Sequence, residues 1–239
     1  MKKNVLKTGS AVLIMLLFSL CVTAQDGSKN VITQTRNVAT FEGLSVSGIF
    51  KVIFTQGEPQ SVKIETDDNL MEKVTTEVHN GVLEIGTKGG NINNPTKMVA
   101  YITAKDLTSI ELSGVSKFTA TNKLVTPKLK LDLSGVTTVT LNTNASNVTC
   151  DLSGTAKLDI EGSGDQLSAD LSGTAKLTAS KFEIKDAKVD VSGVGSATIN
   201  ATKSVSLDAS GASKISYARH DNLNVKNSNV SGVAHITQD

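Results

Sequence analysis

Acidic residues return at a nearly constant interval through the second half of the chain. They are Glu111, Asp132, Asp151, Asp170, Asp190 and Asp208, with Asn229 in the last place, at steps of 21, 19, 19, 20, 18 and 21 residues. Carboxylates on successive parallel strands would stack at about 4.8 Å. Stacked so, they could hold calcium through oxygen ligands or work as an acid and base pair. The plainer role is an outward polar position, solvated and neutralised by neighbours. Lys117, Lys157, Lys176 and Lys214 each follow an acid by six residues, and His235 follows Asn229 by the same step. Like charges directly opposite one another weaken a ladder, so interleaved lysine is the expected remedy. The structural role is therefore preferred, and no catalytic residue is assigned to the column.

Histidine and cysteine add little. His79, His220 and His235 occupy unlike positions, with no HxH or HExxH spacing, so no metal site is expected. Cys150 has no His and acid partners in register, which argues against nucleophilic catalysis. It falls in an inward column and reads as a small buried apolar side chain. Catalytic, cofactor-binding and metal residues are all expected to be absent.

The elements that carry the acids are marked by a Ser-Gly pair. The copies are Ser113-Gly114, Ser134-Gly135, Ser153-Gly154, Ser172-Gly173, Ser192-Gly193, Ser210-Gly211 and Ser231-Gly232. An eighth glycine of the same kind, Gly48, precedes Gly114 by 66 residues, which reads as three further steps. A fixed period near 20 residues marks a stacked repeat. With the glycine as position zero, position −2 runs Leu112, Leu133, Leu152, Leu171, Val191, Ala209, Val230. Position −4 runs Ile110, Leu131, Cys150, Ala169, Val189, Leu207, Ser228, and position +4 runs Phe118, Val139, Leu158, Leu177, Ala197, Ile215, Ile236. Position −3 holds the acids. Apolar and polar residues alternate with period two on both sides, which is strand periodicity. About 20 residues make a path of about 65 Å, enough for one coil of three short strands. The pattern predicts an all-β chain, a right-handed single-stranded parallel β-helix, or β-solenoid, of about nine to eleven coils. The glycines and serines are assigned as structural corner turns, the serine hydroxyls stacking in a column. Leucine-rich and calcium-binding nonapeptide repeats are excluded, because the Asn/Cys ladder of the first and the GGxGxD runs of the second are missing.

Residues 1–24 open with Lys2-Lys3, carry an apolar run from about Ala11 to Cys21, and end in Val22-Thr23-Ala24. This reads as a secretory signal peptide cleaved after Ala24; the run is too short to span a membrane as a helix. Cys21 raises lipoprotein anchoring as a rival, disfavoured because Leu20 stands where Gly, Ala or Ser is usual. The mature protein is expected in the periplasm, on the outer-membrane surface or outside the cell. Residues 1–24 carry three lysines and no acids, so the charge falls from +1 to 21 minus 23, or −2. With no basic patch, nucleic acid is excluded as a partner.

Residues 25–37 are read as a flexible N-terminal segment and 38–239 as one β-helix domain. Within it, 38–110 form irregular first coils and a cap, and 111–239 the regular coils. Glu77 to Ile85 signals a hairpin with Asn80-Gly81 as a type I′ turn. Asp67 to Val74 is expected to make one or two helical turns capped by an acid, and Gly89 to Pro95 a loop. At the far end Val230, Val233 and Ile236 belong to the last coil, with no further sequence for a cap. Their outer surface is expected to face solvent, and a weak homo-oligomer or docking through this coil follows from the open edge.

FEGLSVSGIFKVIFTQGE, then a VKIETDDNLMEKV…NGVLEI block, then the SG-punctuated coils resemble the DUF2807 family, labelled an autotransporter-adhesin head domain. The resemblance covers about residues 38 to 238. It implies a right-handed parallel β-helix with GSG-like corners; most corners here read LSG instead. It carries no catalytic residues to transfer. The function expected is a non-enzymatic exported binding or adhesion module whose partner is a protein or glycan at the cell envelope. The alternatives are a polysaccharide-binding or -cleaving β-helix, and an envelope structural or signalling component. The enzyme is disfavoured: paired carboxylates in an aromatic groove are wanted, and the chain has no Trp and two arginines.

Overall fold

The computed structural model describes residues 25–89 and 92–239. The expected signal peptide and the lipidation alternative at Cys21 lie outside those residues. The first nine strands are β1 (Gln25–Asp26), β2 (Val31–Arg36), β3 (Gly43–Val46), β4 (Ile49–Gln56), β5 (Ser61–Asp67), β6 (Val74–His79), β7 (Val82–Thr87), β8 (Ile92–Asn93) and β9 (Met98–Ala104). The coils follow as β10 (Ser109–Leu112), β11 (Val115–Ala120), β12 (Leu124–Leu133), β13 (Val136–Leu152), β14 (Thr155–Leu171), β15 (Lys176–Val191), β16 (Ser196–Ala209), β17 (Lys214–Tyr217), β18 (Asn224–Val230) and β19 (His235–Gln238). From β10 onward every pairing is parallel, in the register the repeat predicts: Leu131 on Cys150 on Ala169 on Val189 on Leu207. The chain is a β-solenoid with coils of about 20 residues.

The inward columns form one continuous core. Leu112, Leu133, Leu152, Leu171, Val191 and Ala209 are buried, as are Phe118, Val139, Leu158, Leu177, Ala197 and Ile215. Burying a Leu, Val, Ile or Phe fully is worth about 1.5–3 kcal/mol, so a ladder of them drives the stacking. From β12 to β16 only the Ser-Gly corners interrupt the strands. The other bend of the coil passes inside long strands such as β13, where Ser146 and Asn147 both point outward between buried Ala145 and Val148.

Two corner glycines show why the corner is glycine. Gly154 and Gly173 both have φ of +71°, and a Cβ on either would lie 2.7 or 2.8 Å from the carbonyl oxygen of the corner before it. Both the left-handed backbone and the close stacking exclude a side chain. The carbonyls stay paired: Thr155 N donates to Gly135 O at 2.8 Å and Thr174 N to Gly154 O at 2.7 Å. The ladder thus runs through the corner without a gap.

The coil number expected from the sequence is corrected. The solenoid has about six turns, not nine to eleven. The error lies in the 66 residues between Gly48 and Gly114, which are one step and not three. β3 pairs directly with β10 and β4 with β11, and Val115 N donates to Gly48 O at 2.8 Å. Between them the chain leaves the coil path and builds the end of the solenoid. β7 lies parallel under β3 and β9 parallel under β4. Antiparallel strands then close both ladders, β6 on β7 and β5 on β9, with β2 outermost on β5. The antiparallel outer strands end the parallel stack at this end.

Within that region the hairpin is present, with positive φ at both Asn80 and Gly81, as a type I′ turn requires. The short helix spans Asp68–Lys73, but Asp67 makes no cap bond to it. Its carboxylate instead accepts backbone N–H groups of Lys29 and Thr96, each at 2.7 Å. Residues 25–37, read from sequence as flexible, carry β1 and β2, and β1 pairs with β8 inside the segment expected as a loop. At the opposite end Val230 and Val233 are 52% and 71% exposed, while Ile236 is half-buried against the core rather than facing solvent.

Candidate binding surface

Each coil presents two outward faces that meet at the Ser-Gly corner. On the face before the corner the acids stack residue on residue. Glu111 pairs with Asp132, Asp132 with Asp151, Asp151 with Asp170, Asp170 with Asp190, and Asp190 with Asp208. On the face after the corner the bases stack likewise. Lys51 pairs with Lys117, Lys117 with Thr138, Thr138 with Lys157, Lys157 with Lys176, and beyond Ser196 come Lys214 and His235.

Interleaving of lysine among the acids is therefore corrected. The corner sends positions −3 and +3 out from different faces, so each charge type keeps its own column. Among the described residues no ion pair joins the columns; Lys157 bonds Asp159 on its own strand at 2.9 Å. Repulsion is left in the acidic column. Burial first, then the charges of Asp208 and Asp170, push the Asp190 carboxyl above its ordinary pKa, with Lys188 opposing.

The corner serines turn toward backbone. The hydroxyls of Ser113, Ser134, Ser153 and Ser192 donate to carbonyls of the coil before, at 3.3–3.5 Å. They tie each corner to the coil before it. Cys150 is buried, and burial with the charge of Asp170 pushes its thiol up to about 12, so no thiolate forms near neutral pH. The histidines stay apart: His79 reaches Glu77 at 3.1 Å, His220 reaches Asn200 at 2.8 Å, and His235 ends the lysine column. Among the described residues no three His, Cys, Asp or Glu side chains gather as a metal site.

The concavities are open grooves. One of about 370 Å³ runs across the coils along Asn147, Gln166, Asp186 and Ser204, beside Thr149, Ser168, Lys188 and Ser206. Ser204 Oγ donates to Asp186. That bond holds the Asp186 carboxyl below its ordinary pKa against the effect of burial, with Lys203, Lys226 and Lys185 assisting. A second groove, about 390 Å³, follows the first residues after the corner. Ile49, Val115 and Val136 stack there at 45%, 55% and 56% exposure. Lys51, Lys97 and Lys117 rim it, and Lys97 also bonds Glu65 at 3.0 Å. The sequence reading missed this ridge; its signal is an apolar residue directly after three consecutive corners. A third, about 420 Å³, lies beside the cap and is lined by Phe41, Glu42, Glu58, Lys105 and Asp106.

Repetitive outward columns on stacked parallel coils define a protein of the parallel β-solenoid class. The chain belongs to the DUF2807 family, whose model, described as "putative auto-transporter adhesin, head GIN domain", matches residues 40–220. Solved structures share the fold. A "putative adhesin" from Bacteroides fragilis superposes with a TM-score of 0.83 at 22% identity, over 90% of this chain and 100% of that one. A "putative adhesin" from Parabacteroides distasonis gives 0.74 at 20% identity, over 91% and 100%. A "putative lipid binding protein" from the same species gives 0.71 at 18%, over 91% and 100%. At these identities the likeness is one of fold. Comparison with curated proteins gives no match.

Proposed function

We propose that this chain is an exported, non-enzymatic binding module that attaches to a protein or glycan at the cell envelope through its outward faces. The observation that carries the reading is the pair of charge columns, acids in every coil from Glu111 to Asp208 on one face and lysines broken by Thr138 and Ser196 on the other, left without ion-pair partners between them. A repeating ligand, such as a glycan chain or an extended protein surface, matches such a repeat. The family description agrees with an adhesive role, and the leader-like residues 1–24 supply export. The buried thiol and scattered histidines supply no reactive centre. The test is a glycan array and an envelope pulldown with the chain lacking residues 1–24, run beside turnover assays on pectin and polygalacturonate with and without calcium. Saturable binding without cleavage is expected; cleavage would overturn the reading.

One observation favours a second reading. The Ile49–Val115–Val136 ridge under three lysines suits an acyl chain with an anionic head, and one solved structure of the same fold is named a lipid-binding protein. Sedimentation with anionic and zwitterionic vesicles decides: retention on anionic vesicles alone, lost in Val115→Asp, supports lipid contact. No retention on either removes it.

A further inference from the structure

The acidic and basic columns belong to different faces of one molecule, yet they match in four of the six coils that carry an acid. Glu111 shares its coil with Lys117, Asp151 with Lys157, Asp170 with Lys176, and Asp208 with Lys214, always six residues apart. Both columns climb with the same rise, because both are set by the same strand spacing of about 4.8 Å per coil. Only Lys157 spends its charge on a near neighbour, Asp159. Among the described residues the other three lysines and the four acids make no ion pair. The acidic column therefore stacks like charges at every step from Glu111 to Asp208, and the basic column does so where Lys51 meets Lys117 and Lys157 meets Lys176, which is unfavourable in the isolated molecule.

We propose that the two faces bind each other between copies: the acidic face of one chain packs side by side on the lysine face of a second, axes parallel and coils in register. In that packing each of the four acids meets its matching lysine in the next copy, while Asp132 and Asp190 meet the hydroxyls of Thr138 and Ser196. The contact is heterologous, so it repeats from copy to copy. It goes beyond the attachment role and does not depend on it.

The contact is weak by its size. About six turns give a face about 29 Å long. With three outward columns, about 14 Å wide, it covers about 400 Å² per copy, short of the about 800 Å² per partner of a standard interface. Exposed ion pairs are individually small and screened by salt. Association is thus expected at high local density, such as on a crowded surface, and at low ionic strength.

Sedimentation velocity on the chain lacking residues 1–24 tests this across a concentration series. In about 20 mM salt the weight-average sedimentation coefficient should rise with concentration. In about 500 mM salt the association constant should fall at least about tenfold. Two variants complete the test. Glu111→Lys with Asp170→Lys turns two of the four contacts between copies into lysine against lysine; Lys117→Glu with Lys176→Glu turns the same two into acid against acid. Each alone should stay monomeric at low salt, and an equimolar mixture should associate again. All four residues are exposed, and circular dichroism checks each fold. A native chain that stays monomeric at low salt overturns the proposal, even if a variant misfolds. So does association unchanged by salt, or a mixture that behaves as its parts.

Discussion

The ring of Phe182 fills the space that a side chain on Gly164 would need. A Cβ built on Gly164 would lie 3.1 Å from the tip of that ring and 2.3 Å from the carbonyl oxygen of Ala145. Two residues earlier Gly162 has φ of +115° and stacks on Thr143, with Phe182 directly above it in register. The glycine pair in the middle of β14 is what lets the buried Phe182 enter the lumen. Gly164→Val should therefore cost on the order of 1–3 kcal/mol through strain and overpacking, and Phe182→Ala about 3–5 kcal/mol through the cavity left behind. Urea denaturation measures both. A loss under about 0.3 kcal/mol at Gly164 would show that the lumen is looser than described.

The corner makes its own prediction. Valine at Gly154 or Gly173 meets a left-handed backbone and the carbonyl of the corner before it. The expected loss is about 1–3 kcal/mol at either site. Serine at the neighbouring corner hydroxyl positions is far less demanding: Ser153→Ala removes one long hydrogen bond and should cost under about 1 kcal/mol. Equal losses at Ser153 and Gly154 would contradict the stacking seen there.

Two carboxylates should give opposite responses to pH. Burial alone would raise the Asp67 pKa, but bonds from Thr96 and Lys29 outweigh it and hold it low. Its contribution is present above the ordinary carboxylate range and is lost as pH falls through the depressed folded value. Asp67→Ala should cost about 1–3 kcal/mol near neutrality, because two backbone N–H groups lose their acceptor. Asp190 is the reverse. Burial and the charges of Asp208 and Asp170 raise its folded pKa, so ionising it weakens the fold above that value. Asp190→Asn should raise the melting temperature at pH 7, and the gain should vanish in acid below the carboxylate range. A gain that persists in acid would trace to something other than charge.

The two ends of the solenoid should differ in local stability. The outer strands at the cap are tied by Asp67 and by Arg36, whose guanidinium donates to Met71 O at 2.9 Å. At the other end every residue of β18 is exposed. Hydrogen exchange should be fastest in β18 and β19 and slowest in β13 to β15. Uniform protection along the stack would contradict this order.

The regular coils were legible in the sequence because the repeat states inside and outside at every position. The inward columns at −4, −2 and +4 sit where the alternation placed them, down to Cys150. The excursion between Gly48 and Gly114 was not legible in length alone: 66 residues fit three coils as well as one coil with a cap. What decides is pairing of β3 with β10, a contact far apart in sequence. Asp67 looked like a cap because it precedes a short helix; its true partners, Lys29 and Thr96, lie on segments without a pattern. The lysines at +3 looked like neutralisers because sequence spacing does not show that a corner turns them onto another face.

Binding through the faces is tested most directly by one comparison. The native chain and its Asp151→Lys, Asp170→Lys, Lys157→Glu, Lys176→Glu variant are passed over the same glycan array and the same envelope extract. Saturable capture by the native chain that falls at least tenfold in the folded variant is the result expected. Equal capture by both, or cleavage of an arrayed glycan by either, would contradict a binding module that works through these two columns.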